Sequence, residues 1–196
     1  MELLIIRHGL PERVESSDGT PADPPLSAEG VQQAARMARW LEHEGIDCLY
    51  TSPMRRAQET VMPLAEQLGL EPRVDPGVAE FDQGSDSYVP IEQMKREGDP
   101  RWRELVASGW YSELDPAAFR QTVVASMETI IEENSGKRVA VVCHGGVINV
   151  WAAHVLRIDR NLFFNPFYTS INRFMASSRG HRSVKSLNET GHLRAL

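Results

Sequence analysis

Two unbroken apolar runs, Leu3-Leu4-Ile5-Ile6 and Val139-Ala140-Val141-Val142-Cys143, each stop at a histidine followed by glycine. Continuous apolar runs of four or five residues read as short buried strands. A parallel strand in an open α/β sheet delivers its last residues to a crevice at the carboxyl edge, where ligands bind. The first run delivers Arg7-His8-Gly9 and the second delivers His144-Gly145-Gly146. Arginine offers a planar fork of donors suited to phosphate. Histidine can act as nucleophile or base near neutral pH, and glycine lets backbone approach a ligand closely. The residues after the second triplet, Val147-Ile148-Asn149-Val150-Trp151, read as a buried helix. His144 then lies between a strand end and a helix start, where free N–H groups and the helix dipole favour an anion.

A third junction has the same character. Asp47-Cys48-Leu49-Tyr50 reads as a strand, and Thr51-Ser52-Pro53 as cap, cap and first helical residue. The helix shows apolar positions Met54, Ala57, Val61, Leu64 and Leu68, and Gly69 ends it. Arg55 and Arg56 fall in its first turn, an unfavourable place for cations unless an anion is near. One of the two fits a solvated surface arginine well. Glu80 lies between apolar and glycine-containing stretches. A carboxyl group beside an anion pocket can donate a proton to a leaving oxygen if burial raises its pKa; a surface loop carboxylate is the plainer alternative.

Strands and helices alternate along the chain with no internal repeat. Ser27 caps a helix through about Glu44, with Val31, Ala34, Ala35, Ala38 and Leu41 on its inner face. Asp115-Pro116 starts another, with Phe119, Val123, Met127 and Ile130 inward, ending near Ser135-Gly136. The stretches 169–175 and 183–187 read as two strands with Gly180 in the turn between them, a hairpin. The alternation predicts an α/β fold, a three-layer α/β/α sandwich with a mostly parallel central sheet. The length of 196 residues suits one domain, 1–196. The composition, 41% hydrophobic and 24% charged, is that of a globular chain and not a disordered one.

Composition also narrows the function. A net charge of -6 argues against nonspecific nucleic-acid binding, while leaving room for a local cationic pocket. Two cysteines, Cys48 and Cys143, both in predicted strands, give no disulfide framework. No window approaches a membrane span, and the apolar start is too short for a signal peptide's core and lacks its basic leader. The expected setting is therefore cytoplasmic, without a membrane or nucleic-acid partner. Other chemistries fit poorly. A cysteine phosphatase needs a His-Cys order and an arginine six residues after the cysteine, whereas here the order is Cys143-His144 and that position is Asn149. His43-Glu44 starts like a zinc-helix motif, but Asp47 occupies the second histidine position. There is no Walker loop, and Gly145-Gly146 is no dinucleotide fingerprint. His43, His154, His181 and His192 lack metal-like spacing.

The pieces resemble one family in order. They are Arg7-His8-Gly9, the segment Pro25-Leu26-Ser27-Ala28-Glu29-Gly30 with Gln33-Ala34, and Thr51-Ser52-Pro53-Met54-Arg55-Arg56-Ala57 with Thr60. Glu80 with Gly84 and then His144-Gly145-Gly146 complete the series. On these the chain resembles the histidine phosphatase superfamily, also called phosphoglycerate mutase-like. The resemblance implies that fold and a phosphoric monoester hydrolase of histidine acid phosphatase type, working without metal or other cofactor on a small phosphate monoester. It implies His8 as the nucleophile that becomes phosphohistidine. It implies Arg7, Arg56 and His144 as groups that hold the phosphoryl oxygens, Glu80 as general acid, and Gly145 as a backbone N–H donor. Arg56 is chosen over Arg55 because the family's arginine directly precedes alanine. The segment 81–111, with Tyr88, Arg96, Arg101, Trp102, Arg103, Trp110 and Tyr111, matches the insertion that roofs the family's active site and sets substrate choice; two short surface helices with aromatics packed on the sheet are the alternative. The chain departs from the pattern at Leu10-Pro11-Glu12-Arg13-Val14, where Val14 takes the place of a pocket asparagine. Either a phosphate-binding donor is absent there or Arg13 replaces it. Two further readings stand beside hydrolysis: a phosphoglycerate-type mutase, and a noncatalytic phospho-ligand-binding module.

Overall fold

The computed structural model describes residues 1–15, 19–100, 102–103, 116–160 and 162–194. Six strands form the main sheet: β1 (Glu2–Arg7), β3 (Cys48–Thr51), β4 (Arg73–Val74), β6 (Arg138–Cys143), β7 (Ile171–Ala176) and β8 (Arg182–Glu189), in the order β4-β3-β6-β1-β7-β8. β4, β3, β6 and β1 run parallel, while β7 and β8 add an antiparallel edge. A separate two-stranded ribbon pairs β2 (Val14–Glu15) with β5 (Ser87–Tyr88).

The central strands β1 and β6 are buried on both faces, which is why they read as continuous apolar runs instead of alternating ones. Successive side chains of a strand point to opposite faces. Leu3, Ile5, Val139, Val141 and Cys143 therefore pack on one side, against helix α4 (Pro116–Glu133) and helix α5 (Gly145–Leu156). Leu4, Ile6, Ala140 and Val142 pack on the other, against helix α1 (Ala28–Leu41) and helix α2 (Arg55–Leu68). Each fully buried aliphatic chain contributes roughly 1.5–3 kcal/mol relative to exposure, so β1 and β6 are the most firmly held elements of the sheet. They are also in register from Glu2↔Arg138 to Arg7↔Cys143. Their carboxyl ends therefore open side by side, and His8 and His144 leave the sheet together.

Helix details depart from expectation in three places. Ser27 caps α1 through Gly30 N–H, but the helix stops at Leu41, and Val31 is 54% exposed. The buried stripe is Gly30, Ala34, Met37, Ala38 and Leu41, and Val31 lies beyond its edge. Helix α2 starts at Arg55, with Met54 at the N-cap and no side-chain cap. Ser52 Oγ accepts from Met54 N–H and is otherwise turned toward His144. Asp23 serves the helix start instead, its Oδ1 accepting from Arg55 N–H at 2.9 Å. In α4, Val123, Met127, Ile130 and Ile131 are buried, and Phe119 is half-buried against the Phe81 ring. The hairpin β7–β8 turns with Gly180 at φ 83°. In the 81–111 segment the structure shows β5 and one helix, α3 (Ile91–Glu97), while Arg101, Trp110 and Tyr111 lie outside the described residues.

Candidate active site

His8 is fixed by its backbone before its ring does anything. Its N–H donates to Cys143 O at 2.9 Å, extending the β1–β6 ladder by one residue. From the other side, Thr169 N–H donates to Arg7 O at 3.0 Å. Thr169 is buried and holds φ 56°, a left-handed conformation unusual for a β-branched residue. Gly9 then turns the chain against the start of α1. A Cβ there would lie 2.7 Å from Gly30 O, so only glycine allows the approach. Gly9 N–H donates to Thr60 Oγ1 at 2.9 Å, and the Thr60 hydroxyl donates to Arg56 O at 2.6 Å. Thr60 thereby couples the backbone beside the histidine to the turn carrying the arginine.

The ring of His8 lies 2.7 Å, through Nδ1, from Gly9 O. A carbonyl oxygen can only accept, so Nδ1 carries the proton and Nε2 keeps its lone pair. Burial pushes the imidazole well below its ordinary pKa, and the charges of Arg56 and Arg7 push it further. Desolvation is thus the leading reason that His8 is neutral, ahead of the neighbouring cations.

His144 faces it, with ring centroids 5.1 Å apart. It occupies the N-cap of α5 and is buried, and burial followed by Arg56, His8 and Arg7 lowers its pKa well below the ordinary value. Its Nε2 lies 2.7 Å from Ser52 Oγ. Ser52 Oγ accepts from Met54 N–H, and its own proton, with no other acceptor among the described residues, is assigned to His144 Nε2. Neutral His144 then carries its proton on Nδ1, a buried atom with no partner among the described residues. Reading Ser52 as a helix cap overlooked this; the signal available was a serine at a strand end in a chain with a second histidine to orient.

Two guanidiniums flank the imidazoles. Arg7 donates from Nη1 to Pro166 O at 2.6 Å, and its Cζ lies 3.9 Å from the Tyr168 ring centroid. Arg56, fully buried, donates from Nη2 to Asp82 Oδ1 at 2.8 Å, with Cζ 4.6 Å from the Tyr88 ring centroid. Each is thus fixed in plane by an acceptor and on one face by an aromatic ring. Arg7 Nε, Arg56 Nε and Arg56 Nη1 are buried without partners among the described residues. Arg55 is the surface arginine of the pair, bound to Glu59.

Glu80 closes the group. Its Oε2 accepts from Gly146 N–H at 2.8 Å and its Oε1 from Phe81 N–H at 3.2 Å. Burial, reinforced by the nearby Asp82 charge, pushes its pKa up to about 7, against those two hydrogen bonds and Arg56. A Cβ on Gly146 would lie 2.3 Å from Glu80 Oε1, whereas one on Gly145 would meet Arg7 Nε at an ordinary 3.7 Å. The two glycines therefore differ. Gly146 makes room for the carboxylate, and Gly145 opens the helix where an N–H has no intrahelical partner.

Arg13 is not brought into this group. Its exposed guanidinium, just before β2, is bound to Glu15 and Glu97 at the surface. Val14 instead pairs with Tyr88, the residue stacked on Arg56. Asn149, unremarked as a functional residue in the sequence, is buried in apolar α5 and accepts from Phe163 and Phe164 N–H while donating to Phe164 O. It pins the loop that leads to Pro166 and Tyr168. No group of histidine, cysteine, aspartate and glutamate suited to a metal ion occurs among the described residues.

The sequence matches the model of the histidine phosphatase superfamily, branch 1, over residues 3–190. The chain belongs to that superfamily. As a member of the histidine phosphatase superfamily it is 28% identical, over 153 residues, to a probable phosphoglycerate mutase of Yersinia enterocolitica, covering 74% of this chain and 70% of the relative. Solved histidine phosphatase structures share its fold. A phosphoserine phosphatase mutant from Entamoeba histolytica in complex with phosphoserine superposes with a TM-score of 0.77 at 23% identity, over 98% of this chain and 99% of that one. A mycobacterial glucosyl-3-phosphoglycerate phosphatase complexed with VO3 gives 0.73 at 21%, over 96% and 99%. The three-layer arrangement with its mostly parallel sheet is therefore the histidine phosphatase fold.

Proposed function

We propose that this superfamily member is a metal-independent phosphomonoesterase that hydrolyses a small phosphorylated substrate through a phosphohistidine on His8. The observation that carries the reading is the convergence of His8, His144, Arg7 and Arg56, with three guanidinium nitrogens and one imidazole nitrogen buried and unpartnered among the described residues. Buried donors of that kind are costly unless an acceptor meets them. A phosphate monoester dianion supplies oxygens enough to meet these donors.

The reaction follows from the protonation states. His8 Nε2 attacks phosphorus in line with the ester oxygen. As the P–O bond breaks, protonated Glu80 gives its proton to the departing alcohol. Charge on the equatorial oxygens is spread over Arg7, Arg56, His144 Nδ1–H and the Gly145 N–H. Water, deprotonated by the now ionised Glu80, then attacks the phosphohistidine and releases phosphate, restoring both groups. A pKa near 7 suits a group that must serve as acid and then base.

In this reading residues 1–196 form one domain, and the 81–111 segment caps the pocket; Tyr88 on Arg56 and Glu92 beside Arg7 support that role. Arg13 is left out of the phosphate contacts. Two free cysteines, Cys48 and Cys143, suit the cytoplasm. The name of the Yersinia relative keeps the mutase alternative in view. Release of inorganic phosphate from a chromogenic aryl phosphate, undiminished by a chelator, is the expected result. Isomerisation of 3-phosphoglycerate without phosphate release overturns it in favour of a mutase, and binding of phosphate esters without turnover overturns it in favour of a binding module.

A further inference from the structure

Both guanidiniums that would hold the phosphoryl group already face a carboxylate. Arg56 Nη2 lies 2.8 Å from Asp82 Oδ1, and Arg7 Nη1 lies 3.5 Å from Glu92 Oε1. Two positive charges are thus matched by two negative ones before any ester enters. Two cations nearby are engaged elsewhere: Arg13 with Glu15 and Glu97, and Lys95 over the Trp102 ring at 4.4 Å. The sequence from 81 to 115 holds eight acidic residues against four basic ones.

The proton donor says where that imbalance acts. In the proposed reaction the leaving oxygen takes its proton from Glu80, which stands two residues before Asp82. The Asp82 charge is already felt there, since it helps to hold the Glu80 proton. Carboxylates accept hydrogen bonds and cannot donate them when ionised. A hydroxyl on the alcohol finds acceptors at this rim, whereas a carboxylate meets like charge.

We propose that the pocket selects esters whose phosphate is the only anionic group, on hydroxyl-bearing neutral alcohols, and that Asp82 and Glu92 set this preference against esters whose alcohol carries a carboxylate. The proposal rests on the phosphomonoesterase reading of the same site and sharpens its substrate class. Like charges about 6–8 Å apart, at an effective dielectric of roughly 20–40, discriminate on the order of tenfold.

Glycerol 3-phosphate and 3-phosphoglycerate test it, because they differ by a hydroxymethyl in place of a carboxylate. The expected kcat/KM ratio is about tenfold or more in favour of the glycerol ester, shrinking with added salt and falling several-fold in Asp82→Asn and in Glu92→Gln. Titration calorimetry of both esters on His8→Ala protein reads the same preference without turnover, and the wild-type ratio stands even if a variant does not fold. Equal or greater affinity for 3-phosphoglycerate, or ratios unmoved in folded variants, overturns the proposal while leaving hydrolysis intact. Absence of phosphate release from any ester overturns the hydrolase reading instead, and the calorimetric ratio still decides the charge preference.

Discussion

Replacing Glu80 by glutamine separates the carboxyl's proton from its shape. In the folded protein burial and Asp82 push the Glu80 pKa up to about 7, against an ordinary value of 4.5. Below pH 4.5 the group is protonated in both folded and unfolded chains. As pH rises from there, the unfolded chain releases the proton while the folded one keeps it, so folding stability falls until about pH 7 and is level beyond. At about 1.4 kcal/mol per pH unit that separation corresponds to about 3 kcal/mol, and partial exposure of the side chain brings the expected effect to about 2 kcal/mol. Glutamine does not titrate and shows no such fall. It leaves one of the Gly146 and Phe81 N–H groups facing an amide, at about 1 kcal/mol independent of pH. Urea unfolding of both proteins from pH 4 to 8 should therefore show the stability difference moving by about 2 kcal/mol in favour of Glu80→Gln. In the same window, wild-type kcat/KM for alkyl phosphates should decline above about pH 7, and that decline should vanish in the variant. A stability difference that stays constant across the pH range refutes the raised pKa and, with it, Glu80 as the proton donor.

Gly146→Ala should fold, since its new Cβ meets only the mobile end of Glu80 at 2.3 Å, but it should push that carboxyl aside. We expect a drop of about tenfold or more for alkyl esters and little change for aryl esters with good leaving groups; equal losses across a leaving-group series contradict the placement. Ser52→Ala removes the hydroxyl 2.7 Å from His144 Nε2 and should lower kcat/KM on the order of tenfold, with partial rescue by threonine. Nitrogen-15 NMR of the imidazole should show His144 leaving its Nδ1–H tautomer, and an unchanged spectrum and rate remove Ser52 from that role.

Much of this site is legible before any folding is considered, and the reason is specific. β1 and β6 are covered on both faces, so their residues form unbroken apolar runs whose ends are unmistakable. His8 and His144 stand out as polar residues at those ends. Arg55 and Arg56 share a helix start that disfavours cations, and only the family resemblance picks out Arg56; Glu80, between apolar and glycine-containing stretches, likewise takes its role from the resemblance. What could not be read depends on partners far along the chain. Tyr88 and Tyr168 stack on arginines 32 and 161 positions away in sequence. Ser52 looks like a cap until His144, 92 positions later, comes within 2.7 Å. Val31 looked inward because its spacing fits the helix, but the buried stripe ends beside it. Arg13 has the right chemistry for a phosphate, but it lies at the surface just before a two-residue strand and pairs with Glu15 and Glu97.

The central claim is that a phosphoryl group passes through one atom, His8 Nε2. Rapid alkaline quenching of turnover followed by tandem mass spectrometry and phosphorus-31 NMR tests it most directly. The account predicts an acid-labile phosphoryl group on His8, bonded at Nε2 because Gly9 O holds Nδ1–H at 2.7 Å, and neither label nor turnover in His8→Ala. Label on another residue, or phosphate release that persists in His8→Ala, contradicts it.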